Sequence, residues 1–229
     1  IQRENCFLEI AKERIDSGRF YITPTNCSED ILALLQRDEI IKYDTNNGGY
    51  FITHDIYEEW ALEVLIERAY NTSESYSDFI ITIGNSLAIR RAFRKWLSQK
   101  IHESLSDIEP FISQTIIDSN VDTFWRDEIF ITILLSDYSN NFFTQFQNFI
   151  FENNFYFLKR TVFLLRIACK ELDEFHNNLY ENSNLKYLFT KPKGSGWKSV
   201  ISLIFNNLSL FNDKHIHFFI PVLIEWSKK

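Results

Sequence analysis

Apolar residues recur at helical spacing over most of this 229-residue chain, broken early by two short stretches of extended character. Phe7, Leu8, Ala11 and Ile15 share one side of a helix predicted from Phe7 to Ile15, ending near Ser17-Gly18. Phe20-Tyr21-Ile22 reads as a short extended piece. Ser28 is positioned to cap a second helix carrying Ile31, Leu32, Leu34 and Leu35. Two strands are predicted next, Ile40-Ile41-Lys42-Tyr43 and Tyr50-Phe51-Ile52-Thr53. Asp44-Thr45-Asn46-Asn47-Gly48-Gly49 between them supplies the Asn and Gly residues that a positive-φ turn requires. A third helix then begins. Asp55 is its expected N-cap and Glu58 the matching capping-box residue. Ile56, Trp60 and Val64 form one apolar face with Tyr57, Ala61 and Leu65.

Asn71-Thr72-Ser73-Glu74-Ser75-Tyr76-Ser77-Asp78 is polar and without apolar repeat, so a boundary or hinge is expected there. Beyond it the pattern is nearly all helical. Ile89 to Ile101 carries Phe93, Trp96 and Leu97, and Leu158 to Leu172 carries Val162, Leu165 and Cys169. A helix marked by Trp197, Val200, Ile204 and Phe211 is followed, across an Asn212-Asp213 turn, by one from Ile216 to Trp226. Pro221 in the last of these implies a kink or a late start. The fold class read from this order is mainly α: a winged helix with a short β-hairpin, followed by an α-solenoid-like helical array. Residues 1–72 form the first domain and 73–229 a helical repeat-like one.

With 6 Gly and 4 Pro the chain has too few turn residues for an all-β sandwich, while 45% hydrophobic content is ample for a core. Lys+Arg 24 against Asp+Glu 31 gives 24 − 31 = −7, which disfavours general attraction to nucleic acid. Cys6, Cys27 and Cys169 are odd in number and far apart, which reads as reduced thiols in a cytoplasmic protein. No apolar run approaches the ~20 residues needed to span a bilayer, and no signal-peptide pattern opens the chain. The sequons at Asn26, Asn71 and Asn207 are then coincidental. A first residue Ile1 and the absence of Met fit a fragment, a processed chain, or a labelled protein whose modified Met residues do not show in the sequence.

The run LLQRDEIIKYDTNNGGYFITHDIYEEWAL resembles the end of the winged-helix module of STAND-type signalling ATPases, a class that includes plant resistance and apoptosome ATPases. In that class a Met-His-Asp motif closes the winged helix, and its His contacts the β-phosphate of bound ADP. Thr53-His54-Asp55 matches it at two of three positions, with Thr53 standing for Met. The resemblance implies that His54 donates a hydrogen bond to the phosphate and that Asp55 caps the following helix and orients His54. It also makes residues 1–72 the end of a lid helix plus the winged helix. KPKGSGWKSVISLIF and PVLIEWSKK are similar to the helical region that follows this module in bacterial STAND-like ATPases, many of which act in antiphage defence. The P-loop and the magnesium-binding strand of the family are not in the chain and are expected N-terminal to Ile1. ATP or ADP and Mg would belong to that part. The implied partners are the parent's own ATPase domain and a further protein, with neither nucleic acid nor membrane. The bland alternative is that His54 is an exposed capping-region histidine with no ligand.

Lys191-Pro192-Lys193-Gly194-Ser195-Gly196-Trp197-Lys198-Ser199 superficially resembles a phosphate loop, but Trp197 stands where Gly must precede the Lys. It reads better as a turn that starts a helix, with Ser195 as a cap and Trp197 buried. Arg90, Arg91, Arg94 and Lys95, with Lys100 beyond, make the most basic segment. Such a run is usually a solvated helix face. The alternative is a weak docking site for an acidic partner, a nucleic-acid backbone or the parent's ATPase domain. His102-Glu103 and His215-Ile216-His217 lack zinc-compatible partners, and no catalytic constellation is present. Two other functions remain open: a winged-helix DNA-binding regulator, against which Glu29, Asp30, Asp38 and Glu39 count, and an α-solenoid scaffold for protein partners.

Overall fold

Residues 1–175 and 189–227 are described by a computed structural model. The described chain is mainly helical, with two small antiparallel two-stranded sheets. It divides into two units, Ile1–Asp122 and Thr123–Lys229, each with its own core. Lys228 and Lys229, which close the C-terminal segment quoted above, lie outside the described residues.

In the first unit, α1 (Gln2–Ser17) buries Cys6, Phe7, Leu8, Ile10 and Ala11 and ends at Gly18, whose φ of 65° breaks the helix. α2 (Glu29–Arg37) starts after Ser28, but the Ser28 side chain makes no cap hydrogen bond. β1 (Ile41–Asp44) and β2 (Gly49–Ile52) pair with Ile41 opposite Ile52 and Tyr43 opposite Tyr50. Ile41 and Ile52 face the core, while the Asp44 carboxylate accepts the Asn46 and Asn47 amides at 2.8 and 3.0 Å and so shapes the turn. Ile22 adds a third short segment, exchanging two 2.8 Å backbone hydrogen bonds with Tyr50. The extended reading of Phe20-Tyr21-Ile22 thus ends in a bridge to the hairpin.

α3 (Asp55–Thr72) differs from its expected form in two ways. Its N-cap is His54 rather than Asp55, which is the first helical residue, and no side chain caps it. Its buried side is Ala61, Leu62, Ile66 and Ala69, whereas Ile56 and Trp60 are 67% and 48% exposed. The Trp60 ring instead lies against Phe7 of α1, with centroids 6.1 Å apart.

Cys6 and Cys27 are joined in a disulfide, with Cα atoms 5.4 Å apart, which corrects the expectation of free thiols. α1 turns Cys6 toward the loop that leads into α2, a closeness that residue spacing alone does not reveal. Cys169 is free and buried.

The polar stretch after Tyr70 is a turn between packed helices, and the units divide at Asp122–Thr123 instead of near residue 72. Asn71 and Thr72 still belong to α3, and Ser75 caps α4 (Tyr76–Ile83) by accepting from the Asp78 amide at 3.1 Å. α5 (Leu87–Glu103) is capped in the same way by Ser86, and α6 (Leu105–Ile117) follows. Tyr70, Phe79, Trp96 and Phe111 bring one ring from each of α3, α4, α5 and α6 into a shared cluster. Their centroids lie 5.1 to 6.1 Å apart. Each such pair contributes roughly 0.5–1.5 kcal/mol beyond area burial, enough to tie these helices to α3.

In the second unit, α7 (Thr123–Leu135) is buried without a break from Glu128 to Leu134, as expected of a helix enclosed on every side. α8 (Ser139–Gln145) and α9 (Gln147–Ala168) follow. α9 is broken at Glu152–Phe155, where Asn153, Asn154 and Phe155 take positive φ. It stops at Ala168, so Leu172 lies in β3 (Lys170–Leu172) and not in a helix. β3 pairs with β4 (Thr190–Pro192). α10 (Gly196–Asn206) and a 3₁₀ turn at Leu208–Leu210 lead to α11 (Asp213–Trp226), which runs through Pro221 without the late start that residue implied.

Candidate functional site

The junction between β2 and α3 is held from below by Thr53. Its hydroxyl donates to the carbonyls of Glu39 and Ile40 at 2.5 and 3.1 Å, and its amide to Ile40 at 3.1 Å. Glu39 sits at φ 57°, a conformation in which non-glycine residues are uncommon, and its carbonyl is one of those fastened. A Met at position 53 has no hydroxyl to do this. The consequence is a firmly placed backbone under His54 while the His54 side chain itself is exposed.

The His54 ring makes an edge contact with Tyr57 at 5.6 Å, and its carbonyl accepts the Tyr57 amide at 3.0 Å. Asp55 is also exposed. It makes no cap bond, so its effect at this helix start is that of a negative charge complementing the dipole. Glu58 does not complete a capping box either. It faces Arg14 of α1 at 3.2 Å, and burial pushes its carboxyl above the usual range despite that guanidinium. Arg14 also lies 4.6 Å over the Phe20 ring, so one cation links α1, α3 and the segment before the hairpin. Chemically, the junction offers an imidazole and the amides of a helix start to solvent, a combination suited to an anion.

The basic run on α5 is partly engaged within the unit. Lys95 Nζ is 2.5 Å from Glu63 and 3.9 Å from Glu59, both on α3, and Glu63 holds the Lys95 ammonium above its ordinary range. Lys100 lies 2.8 Å from Glu67, which also accepts from Trp96 Nε1 at 2.6 Å. Although burial pushes the other way, these bonds hold the Glu67 carboxyl below the usual range. Arg91 is exposed, whereas Arg90 and Arg94 are half-buried. The face offered to a partner is therefore narrower than the run of cations indicates.

The segment around Gly194 and Gly196 is closed to ligands. A Cβ on Gly196 would lie 2.6 Å from the Leu134 carbonyl oxygen and 2.8 Å from Leu134 Cα. One on Gly194 would meet the same carbonyl at 2.7 Å. Both glycines are needed so that this loop can press against the end of α7. Trp197 is fully buried, as expected, and donates from Nε1 to the Cys169 carbonyl at 2.8 Å. Ser195 does not cap α10; its hydroxyl donates to the Ser136 carbonyl. Ser139 lies within hydrogen-bond reach of Ser195 and Ser199, at 2.9 and 2.8 Å, so the serines of this motif are absorbed by helix packing.

His102 is exposed near the end of α5. In α11, His217 is exposed and His215 is half-buried against Phe155 and Phe211, its Nδ1 accepting the Asn212 amide. Among the described residues no three His, Cys, Asp or Glu side chains gather as metal ligands would, and no helix is long and apolar enough to cross a membrane. Sequence reasoning missed Arg14 and its two contacts, which nothing in the periodicity of α1 marks. Compared with protein-family models and with curated proteins, the chain matches none of them.

Proposed function

We propose that this chain is the regulatory, sensor portion of a STAND-like P-loop ATPase, with a winged-helix-like module that offers His54 to nucleotide phosphate. The single observation that carries this reading is the exposed His54 imidazole at the uncapped start of α3, on a backbone fastened by Thr53. The helix, hairpin and helix order of residues 29–72 supports it. ATP or ADP and Mg belong, in this reading, to an ATPase domain preceding the chain, and the chain itself turns over no nucleotide. The helices after α3 engage a protein partner, with Arg91 an exposed cation of the α5 run. In this reading the signalling is of the antiphage-defence kind.

In the protein that carries this chain behind an ATPase domain, His54→Ala is expected to shorten ADP retention. Unchanged retention would sink the proposal. Asp55→Asn is expected to lengthen retention, because the exposed carboxylate repels a phosphate and caps nothing. The winged-helix DNA regulator is the weaker reading, since α2 opens with Glu29 and Asp30 and is followed by Asp38 and Glu39. A second reading, an α-solenoid-like scaffold, is favoured by one observation in the second unit. Phe205, Leu208, Ile216, Ile220 and Leu223 of its last helices line an apolar groove of about 160 Å³ and are 40–56% exposed. Retention of partner binding with no dependence of any ADP contact on His54 would favour that scaffold.

A further inference from the structure

Within the first unit, a cavity of about 260 Å³ opens beside α1, between the second half of α3 and the turn joining α4 to α5. Its floor is aliphatic: Ile15, Leu62, Ile66, Ile83 and Ile89 line it, and all but Ile15 are buried. Its rim carries two opposite charges, Lys12 and Asp16, one helical turn apart on α1 and both exposed. Neither forms an ion pair within the described unit, although i and i+4 is the spacing at which such a pair forms readily. Lys12 and Asp16 are the only charged side chains among the described residues that line the cavity.

A volume just below the roughly 300–1,000 Å³ of drug-sized sites suits a small ligand. An apolar floor calls for a branched or aromatic body, and a free ammonium beside a free carboxylate calls for the reverse pair of charges on the ligand. A fatty acid would leave Asp16 opposed to its carboxylate, and an apolar amine would leave Lys12 opposed to its ammonium. A free amino acid with an apolar side chain satisfies all three features. We propose that this cavity binds a zwitterionic amino acid of the leucine or phenylalanine type. Its carboxylate would meet Lys12, its ammonium Asp16, and its side chain the aliphatic floor. The site is distinct from His54, which lies at the opposite end of α3, and the inference does not rest on the nucleotide reading.

Titration calorimetry of the full chain with leucine and phenylalanine tests it, beside 4-methylpentanoate, which lacks the ammonium, and leucinamide, which lacks the carboxylate. Saturable binding of an amino acid is expected, with both analogues weaker. Lys12→Gln and Asp16→Asn should each weaken binding by about fivefold at low salt, and less at high salt, as exposed charge pairs do. Both positions are exposed, so circular dichroism of the variants should match the parent. Ala69→Phe, which fills the cavity from the α3 side, should abolish binding while an unchanged spectrum reports an intact fold. Absence of saturable heat with either amino acid overturns the proposal. So does equal affinity for 4-methylpentanoate, or binding indifferent to both charge substitutions.

Discussion

The starts of α3 and α10 both look like phosphate-binding turns on paper, and the two have opposite fates. At α3 the residues before the helix are Thr53 and His54. Only Thr53 is tied down, through its hydroxyl and amide, while His54 and Asp55 stay in solvent. At α10 the glycines that a phosphate loop would use to wrap its ligand are pressed onto the Leu134 backbone, and Trp197 is sealed beneath them. Glycine at a helix start serves close packing as readily as ligand approach. What separates the cases is whether the volume in front of the amides is already filled.

Substitutions should expose this difference most strongly at α10. Trp197→Ala removes a fully buried ring and its hydrogen bond to Cys169, and should destabilise the second unit by about 4 kcal/mol in urea unfolding. A loss below about 1 kcal/mol would mean that the segment is not packed as described. On the first unit, the comparable contribution is covalent. Reduction of Cys6–Cys27, with 21 residues of separation, should cost about 3 kcal/mol, read from unfolding with and without dithiothreitol. Gly196→Ala drives a methyl into backbone atoms and should cost about 2 kcal/mol; a neutral result would break the comparison, since it would leave room in front of α10. Thr53→Val, which deletes the hydroxyl that fastens Glu39 and Ile40, should cost about 1 kcal/mol. His54→Ala should change stability by less than about 0.5 kcal/mol, because an exposed side chain with one ring contact holds little in place.

The elements with strong local signals were legible in the sequence. The hairpin turn from Asp44 to Gly49, the stop of α1 at Gly18, and the burial of Trp197 follow from turn chemistry, glycine conformation and apolar spacing. What depended on tertiary partners was not. Ile56 and Trp60 look like core residues by period, yet α3 turns a neighbouring stripe inward because α1, α4 and α5 pack there. The polar stretch after Tyr70 resembles a linker until the Tyr70, Phe79, Trp96 and Phe111 rings are seen to join the helices on both sides of it. Asp55 and Glu58 have the capping-box spacing, but Arg14, forty residues or more away in sequence, draws Glu58 off. Nothing in the sequence beyond their i, i+4 spacing marks Lys12 and Asp16 as a rim, since other helices contribute the walls of the cavity behind them.

The most direct test of the open start of α3 is a titration with ADP of the protein that carries this chain behind an ATPase domain, isotope-labelled within this chain and followed by nuclear magnetic resonance. The expected result is a saturable shift of the His54 ring and of the amides from Asp55 to Glu58, with Gly194 to Lys198 unmoved. Shifts at Gly194 to Lys198, or none at His54 when ADP is saturating, would contradict it.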